Sequence, residues 1–376
     1  MIEIDTVLIK AASRCNINCR YCYVYNMGDT RWADLPKQMS YETMTAVAHT
    51  LGELSRQQKR RFAVVLHGGE PLLLGSEKLA FLLAQLRSVL STEYPFSIQT
   101  NGILISEAIL DVCSQFRTRL GVSIDGPPGI HDRYRVDHTG QGTHDKVLEG
   151  IARLRNHRDR CFLYEGLLSV IDPTSDPAEV YGFFKELDAP SVDFLYRDGN
   201  HSQLPYGKAS SQSAEYGRWL SRLLDIYLAD PVPLRIRLLD DMLKLILGGA
   251  GTKEGLGAAD FGIVIIDTDG TITKNDTLKS AFNGADRFQQ QWSVHTHRLT
   301  DIANSPEFAA YHALQHPSAS SCLSCSELAI CGGGMPVNRW RDENGYENPS
   351  VYCADQLVLI SHMRDRLTAL AESCRE

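Results

Sequence analysis

The sequence predicts an α/β fold: a parallel sheet with helices outside it, followed by a smaller cysteine-bearing region. Three observations carry that expectation. Apolar runs of strand length alternate with helix-period segments from Thr6 to Leu195, the pattern of repeated β/α units. Polar, glycine-containing stretches follow several of the strands, where parallel α/β folds place their ligand sites. Cysteines gather in two groups, one directly after the first strand and one near the C-terminal end. With 376 residues, 43% of them hydrophobic, the chain is long enough for a sizeable core and two domains.

Taken in order, Thr6 to Ala12 is the first strand, with Val7, Leu8 and Ile9 as its apolar centre. Ser40 caps a helix to about Gln58, with Glu42 in its first turn, where a side-chain oxygen and a negative charge both suit the free N–H groups. Arg61 to His67 is the second strand, Ser76 to Leu90 a helix, Phe96 to Thr100 the third strand and Ser106 to Phe116 a helix. Leu120 to Ile124 is the fourth strand, Lys146 to Asn156 a helix, Phe162 to Ile171 a strand, Pro177 to Leu187 a helix and Val192 to Leu195 a strand. The polar loop from Tyr196 to Lys208 breaks this rhythm and suits a wall that grips substrate. Helices from Ala214 to Leu228 and Ile236 to Leu247 follow, then a linker, Gly248-Gly249-Ala250-Gly251. Phe261 to Asp267 and Thr271 to Lys274 flank Thr268-Asp269-Gly270, a hairpin signal.

The first cysteine group is Cys15, Cys19 and Cys22, spaced C-x-x-x-C-x-x-C with Tyr21 before the third. Three thiolates on one loop suit three irons of a four-iron cluster and leave the fourth open for a ligand. A zinc knuckle is the rival, but it usually shows two close pairs with a further Cys or His nearby, and the nearest histidine is His49. Polar strand ends follow: Gly68-Gly69-Glu70-Pro71, then Gln99-Thr100-Asn101-Gly102, then Ser123-Ile124-Asp125-Gly126, with His131-Asp132-Arg133-Tyr134-Arg135 beyond. Two adjacent glycines let the backbone approach a ligand closely, and arginines can hold a carboxylate in bidentate geometry. The second cysteine group is Cys322, Cys325, Cys331 and Cys353, enough to close a cluster or a zinc site. Cys113 in a helix, Cys161 at a strand start and Cys374 in the tail read as packing or surface residues.

The cysteine loop and these strand ends, in this order, resemble the radical S-adenosylmethionine (SAM) enzymes. The resemblance implies a partial (β/α)6 barrel and a SAM-binding [4Fe-4S] cluster on Cys15, Cys19 and Cys22. It also implies SAM contacts from Tyr21, Gly68, Gly69, Glu70, Thr100, Asn101, Ser123, Asp125 and Arg135. Glu70 would lie in the stretch that binds the SAM amino group. The second cysteine group resembles the SPASM domain and implies one auxiliary [4Fe-4S] cluster on Cys322, Cys325, Cys331 and Cys353. A further auxiliary cluster of that family loses its ligands here, since Asn275 and Met335 stand at two of its cysteine positions. Asp276, next to Asn275, matches an aspartate that in peptide-oxidising members can take up a proton. The implied domains are a barrel over 1–235, a helical connection over 236–251 and a SPASM-like region over 252–376.

Within that family, Cys19 to Asn26, Ile265 to Gly270, Cys331-Gly332-Gly333-Gly334 and Asn348 to Asp355 resemble maturases that form cyclophanes in ribosomally made peptides. The expected activity is hydrogen abstraction from a side-chain Cβ and closure onto an aromatic ring of a precursor peptide. An external one-electron reductant such as flavodoxin or ferredoxin is implied. Formylglycine formation on a sulfatase, thioether formation and epimerisation are the alternatives, and a non-catalytic iron–sulfur or zinc scaffold ranks last. A net charge of −8 and the absence of a Lys/Arg run argue against a nucleic-acid partner. No apolar run approaches a membrane span and no signal peptide is read at the start, so ten cysteines point to metal binding in a reducing cytoplasm. No segment ahead of the first strand suits a leader-binding domain, so leader recognition is expected from the body of the chain or from another one.

Overall fold

The computed structural model describes residues 2–373. In chain order the main elements are β1 (Thr6–Ala12), α1 (Tyr41–Gln57), β2 (Ala63–Gly68), α2 (Gly75–Val89), β3 (Phe96–Thr100), α3 (Glu107–Gln115) and β4 (Thr118–Ser123). Next come α4 (His144–Asn156), β5 (Tyr164–Val170), α5 (Pro177–Glu186), β6 (Val192–Leu195), α6 (Glu215–Ala229) and α7 (Arg237–Ile246). The last are β7 (Ile263–Ile266), β8 (Thr271–Thr273), β9 (Trp292–Ser293) and α8 (Cys353–Ser373). They fold as two compact units that interleave along the chain: 1–124, 131–168 and 261–312 in the first, and 125–130, 169–260 and 313–376 in the second.

In the first unit the strands run in the order β9-β8-β7-β1-β2-β3-β4-β5. From β7 through β5 they are parallel, with Ile9 opposite Leu66, Leu66 opposite Ile98, Ile98 opposite Leu120 and Val122 opposite Leu167. Val7, Ile9, Ala11 and Ala12 of β1 are all buried, as a strand covered on both faces requires. The hairpin β7–β8 joins this sheet: β7 lies parallel to β1, with Leu8 opposite Ile265, and β8 and β9 follow antiparallel. Helix α1 begins where Ser40 Oγ accepts the Thr43 N–H and buries Met44, Val47, Ala48, Leu51 and Leu54, an i, i+3, i+4 stripe. α3 is capped in the same way by Ser106.

The strand expected from Phe162 begins only at Tyr164. Asp159 O accepts the N–H groups of both Phe162 and Leu163, so Arg160–Leu163 is one helical turn. Arg117 stacks 3.7 Å over the Phe162 ring and holds it there. Cys161 is therefore an exposed residue of that turn, while Cys113 is buried in α3. Cys374 lies outside the described residues.

In the second unit Asp176 caps α5, with Pro177 in the first turn. Ile171, just past β5, donates to Leu195 O of β6 at 3.0 Å. Lys208 and Asp355 form a fully buried ion pair, and Asp355 Oδ1 also accepts the Gly217 N–H at 2.8 Å. The Gly217 bond ties α6, and Lys208 the loop before it, to the first turn of α8. A Cβ on Gly217 would meet Asp355 O at 2.4 Å, so the two helices pack backbone to backbone. Among the described residues, no helix is long and apolar enough to cross a membrane.

Candidate active site

The first cysteine loop leaves the C-terminal end of β1 and is fixed mainly by its backbone. Ser13 donates to Lys37 O and Pro36 O, and Asn18–Cys19 forms a two-stranded ribbon with Arg135–Val136. Cys22 N–H donates to Cys19 O at 2.9 Å, and Asn26 N–H to Cys22 O at 2.8 Å. Cys15, Cys19 and Cys22 stand half-buried on this loop. Burial, then the charge of Glu70, pushes the Cys15 thiol up to about 12. Binding a metal there must therefore release the thiol proton. His138 Nε2 lies 2.9 Å from Cys15 O, a contact that nothing in the sequence announced.

Gly68 and Gly69 serve this loop. A Cβ on Gly68 would lie 2.2 Å from Ala12 O; one on Gly69 would lie 2.0 Å from Tyr25 Oη and 2.3 Å from Arg14 O. The space that the sequence reading gave to a ligand is filled, at the Cα positions, by the cysteine loop itself. Gly69 and Glu70 donate their N–H groups to Ala12 O and Arg14 O.

Glu70 points inward and is 1% exposed. Its Oε1 accepts from Leu72 N–H at 3.0 Å and Thr100 Oγ1 at 2.7 Å, and its Oε2 from Asn101 N–H at 2.8 Å. Burial raises its carboxyl above the ordinary value, and these donors work against that rise. Asn101 then donates to Asn16 Oδ1 at 2.7 Å, with Cys15 Sγ at 3.7 Å. One chain of contacts thus links the ends of β2 and β3 to the first cysteine. Ser123 Oγ accepts from Gln99 Nε2 at 2.9 Å. Tyr21 Oη accepts from Arg135 Nη1 at 3.0 Å, and Arg135 is buried. Asp125 accepts the Val170 N–H at 3.1 Å.

A second set of charges lies at the same end of β1. Lys10 is 4% exposed; its Nζ is 2.7 Å from Asp276 Oδ1 and 3.4 Å from Asp267 Oδ1. Burial alone would lower the Lys10 ammonium, but the charges of Asp267 and Asp276 outweigh it and hold it well above the usual range. Asp276 Oδ2 is buried without a hydrogen-bond partner. His67 on β2 stands opposite Lys10 in register and is pulled down to about 4 by burial, then by Lys10. Asn275 caps the short 3-10 helix Asp276–Ser280, accepting the Thr277 N–H. Lys10, Asp267 and His67 were missed in the sequence, where Lys10 read only as part of an apolar strand.

In the second unit, Cys322, Cys325 and Cys331 lie on and between two short helical turns, and Cys353 begins α8. Gly332, Gly333 and Gly334 all have positive φ, 65°, 81° and 69°, a turn that side chains would strain. The four cysteines line one cavity of about 380 Å3, with His201 from the Tyr196–Lys208 loop on its wall. Burial, then the neighbouring thiolates, pushes Cys331 up to about 11. Among the described residues, no group of three or more His, Cys, Asp or Glu is already gathered around a metal-ion position. Thiol donors spread around a cavity fit a multi-iron cluster, and the three-thiol loop fits one whose fourth iron is open.

Residues 9–168 match the model of the radical SAM superfamily. This chain carries a radical SAM domain. It is a radical SAM enzyme, and SAM and iron–sulfur clusters are its cofactors. The cysteine-type anaerobic sulfatase-maturating enzyme of Clostridium novyi is 24% identical over 387 residues, covering 98% of this chain and 97% of that one. Among solved structures, native anSMEcpe with bound AdoMet matches with a TM-score of 0.82 at 22% identity, covering 98% and 99% of the two chains. Streptococcus suis SuiB bound to its precursor peptide SuiA matches with a TM-score of 0.64 at 14% identity, covering 94% and 76%. The fold of the radical SAM/SPASM enzymes therefore extends over nearly the whole chain.

Proposed function

We propose that this enzyme matures a precursor peptide by joining a side-chain Cβ to an aromatic ring. Cys15, Cys19 and Cys22 would hold the cluster that, with SAM, supplies a hydrogen-abstracting 5′-deoxyadenosyl radical. SAM would be held among Tyr21, Gly68, Gly69, Thr100, Asn101, Ser123, Asp125 and Arg135, with Glu70 bracing the strand ends from behind. Cys322, Cys325, Cys331 and Cys353 would hold an auxiliary cluster, whose chemistry is one-electron transfer. Closing a Cβ–aryl bond after hydrogen abstraction leaves one electron and one proton to be removed. The observation that carries the reading is Asp276: a buried carboxylate with one oxygen held by Lys10 and the other unpartnered. Oδ2 takes the proton. Asn275 supports the same reading: its side chain caps a helix at a position where the family resemblance would place a cysteine ligand. An external one-electron reductant such as flavodoxin or ferredoxin completes the cycle.

Formylglycine formation is the second reading, because the Clostridium novyi relative is named for sulfatase maturation. Co-expression with short aromatic-rich peptides encoded beside the gene separates the two. A crosslinked core loses two hydrogens, resists fragmentation between the joined residues and does not react with a hydrazide. A product carrying an aldehyde would replace the crosslinking reading with the second one.

A further inference from the structure

A cavity of about 290 Å3 lies in the first unit beside β8 and β9, and among the described residues none of the cysteine loop lines it. Arg31 and Arg287 contribute guanidinium groups to its wall, and Ile272, Phe288 and Trp292 contribute apolar surface. None of the described residues lining it is acidic. Trp292 and Thr273, also on its wall, are 7% and 1% exposed. The arginines are not closed off. Arg31 has Asp267 at 3.9 Å and Asp269 at 3.7 Å, too far for the bidentate pairing that guanidinium prefers. Arg287 spends one N–H on Asn283 Oδ1 at 3.1 Å.

We propose that this cavity binds a carboxylate of the substrate peptide, taken by Arg31 and Arg287, with the Trp292 ring as part of its apolar wall. The wall suits a peptide better than an inorganic anion, because an acidic side chain brings methylene groups that pack on Ile272, Phe288 and the Trp292 ring. The chain leads directly from this cavity to the proposed base: Thr273 on its wall is followed by Lys274, Asn275 and Asp276. A peptide anchored here by one residue would present its neighbours toward the end of β8. The inference rests on the reading of the substrate as a peptide and adds to it a preference for an acidic residue or a free C terminus.

The test reads binding alone. Anaerobically reconstituted enzyme carrying 5-fluorotryptophan gives one fluorine signal for each of its four tryptophans, and Trp292→Phe assigns that of Trp292. It is titrated with acetyl-Gly-Gly-Glu-Gly-Gly-amide, with the same peptide carrying Gln for Glu, and with an acetylated all-glycine peptide bearing a free C terminus. The Trp292 signal should move saturably with a carboxylate-bearing peptide and not with the Gln peptide. Whichever of the two carboxylate peptides acts tells a side-chain anion from a terminal one. Arg31→Gln with Arg287→Gln should weaken that binding at least tenfold. Arg287 is exposed, whereas Arg31 is half-buried beside Asp267, so circular dichroism and iron content equal to wild type are required of the variant before its affinity is read. Equal response to the Gln peptide, no response to either carboxylate, or unchanged affinity in the double variant overturns the proposal. Binding without any modified peptide would instead count against the proposed reaction and leave the cavity's role standing.

Discussion

The Lys10 ammonium lies 2.7 Å from Oδ1 of Asp276, and that contact decides which oxygen can act. Oδ1 is engaged by a cation that its buried partners keep charged, so if Asp276 is the base, as proposed, the proton goes to Oδ2. Asp276→Asn keeps the shape and removes the acceptor. Because a general base contributes roughly 10^2- to 10^4-fold, crosslinked product should fall by at least about a hundredfold. Both clusters and formation of 5′-deoxyadenosine should persist, and deuterium on the substrate Cβ should still reach 5′-deoxyadenosine. Crosslinking at the normal rate would reduce Asp276 to a packing residue. His67, beside Lys10, gives a second prediction with a definite sign. Its imidazole is pulled from about 6.5 to about 4, so the folded chain binds fewer protons than the unfolded one. Its contribution to stability is present above about pH 6.5 and is lost as the pH falls toward 4. Against His67→Gln, the wild-type chain should lose about 2 kcal/mol of relative stability between about pH 7.5 and pH 5. A constant gap across that range would mean that His67 is charged, or solvated, in the folded state.

Among the elements, the junction of β1, β2 and the cysteine loop is the least forgiving. Gly69→Ala puts a methyl 2.0 Å from Tyr25 Oη and 2.3 Å from Arg14 O. A tyrosine can swing aside, but a carbonyl in the loop that positions Cys15 cannot do so without moving the ligand. The variant should fold with unchanged helix content and lose about half its iron, the share of one four-iron cluster in two; iron analysis with circular dichroism checks this. Full iron and normal SAM cleavage would show that the loop shifts freely. The strands of this junction were legible from runs such as Val7-Leu8-Ile9, and the cysteine spacing marked the loop. The direction of Glu70 was not legible: a glycine pair followed by a glutamate reads as a ligand contact, whereas two of its three donors come from residues 30 and 31 positions away. The hairpin's place was equally hidden. Thr268-Asp269-Gly270 announces a turn, but local sequence does not say that β7 will lie beside β1.

For the whole molecule, the features that sequence left dark share one cause: they join residues far apart in the chain. Lys10 and Asp276 are separated by 266 positions, and the Arg31–Arg287 cavity needs two segments that carry no common motif. The two cysteine groups were readable because each is local in sequence, apart from Cys353. Their independence is the last expectation to test. Each group lies within a different compact unit, so each should assemble and fail separately. Reconstituted enzyme should hold about eight irons, four per cluster. Replacing Cys15, Cys19 and Cys22 with Ala should remove about half of them and abolish SAM cleavage. Replacing Cys322 and Cys353 with Ala should remove the other half, leave SAM cleavage measurable and cut peptide product. That last loss separates a working auxiliary cluster from a structural metal site, because a tetrahedral zinc would also hold the fold together but cannot accept an electron. Zinc bound at the Cys322 group of a fully active enzyme would overturn the auxiliary-cluster assignment.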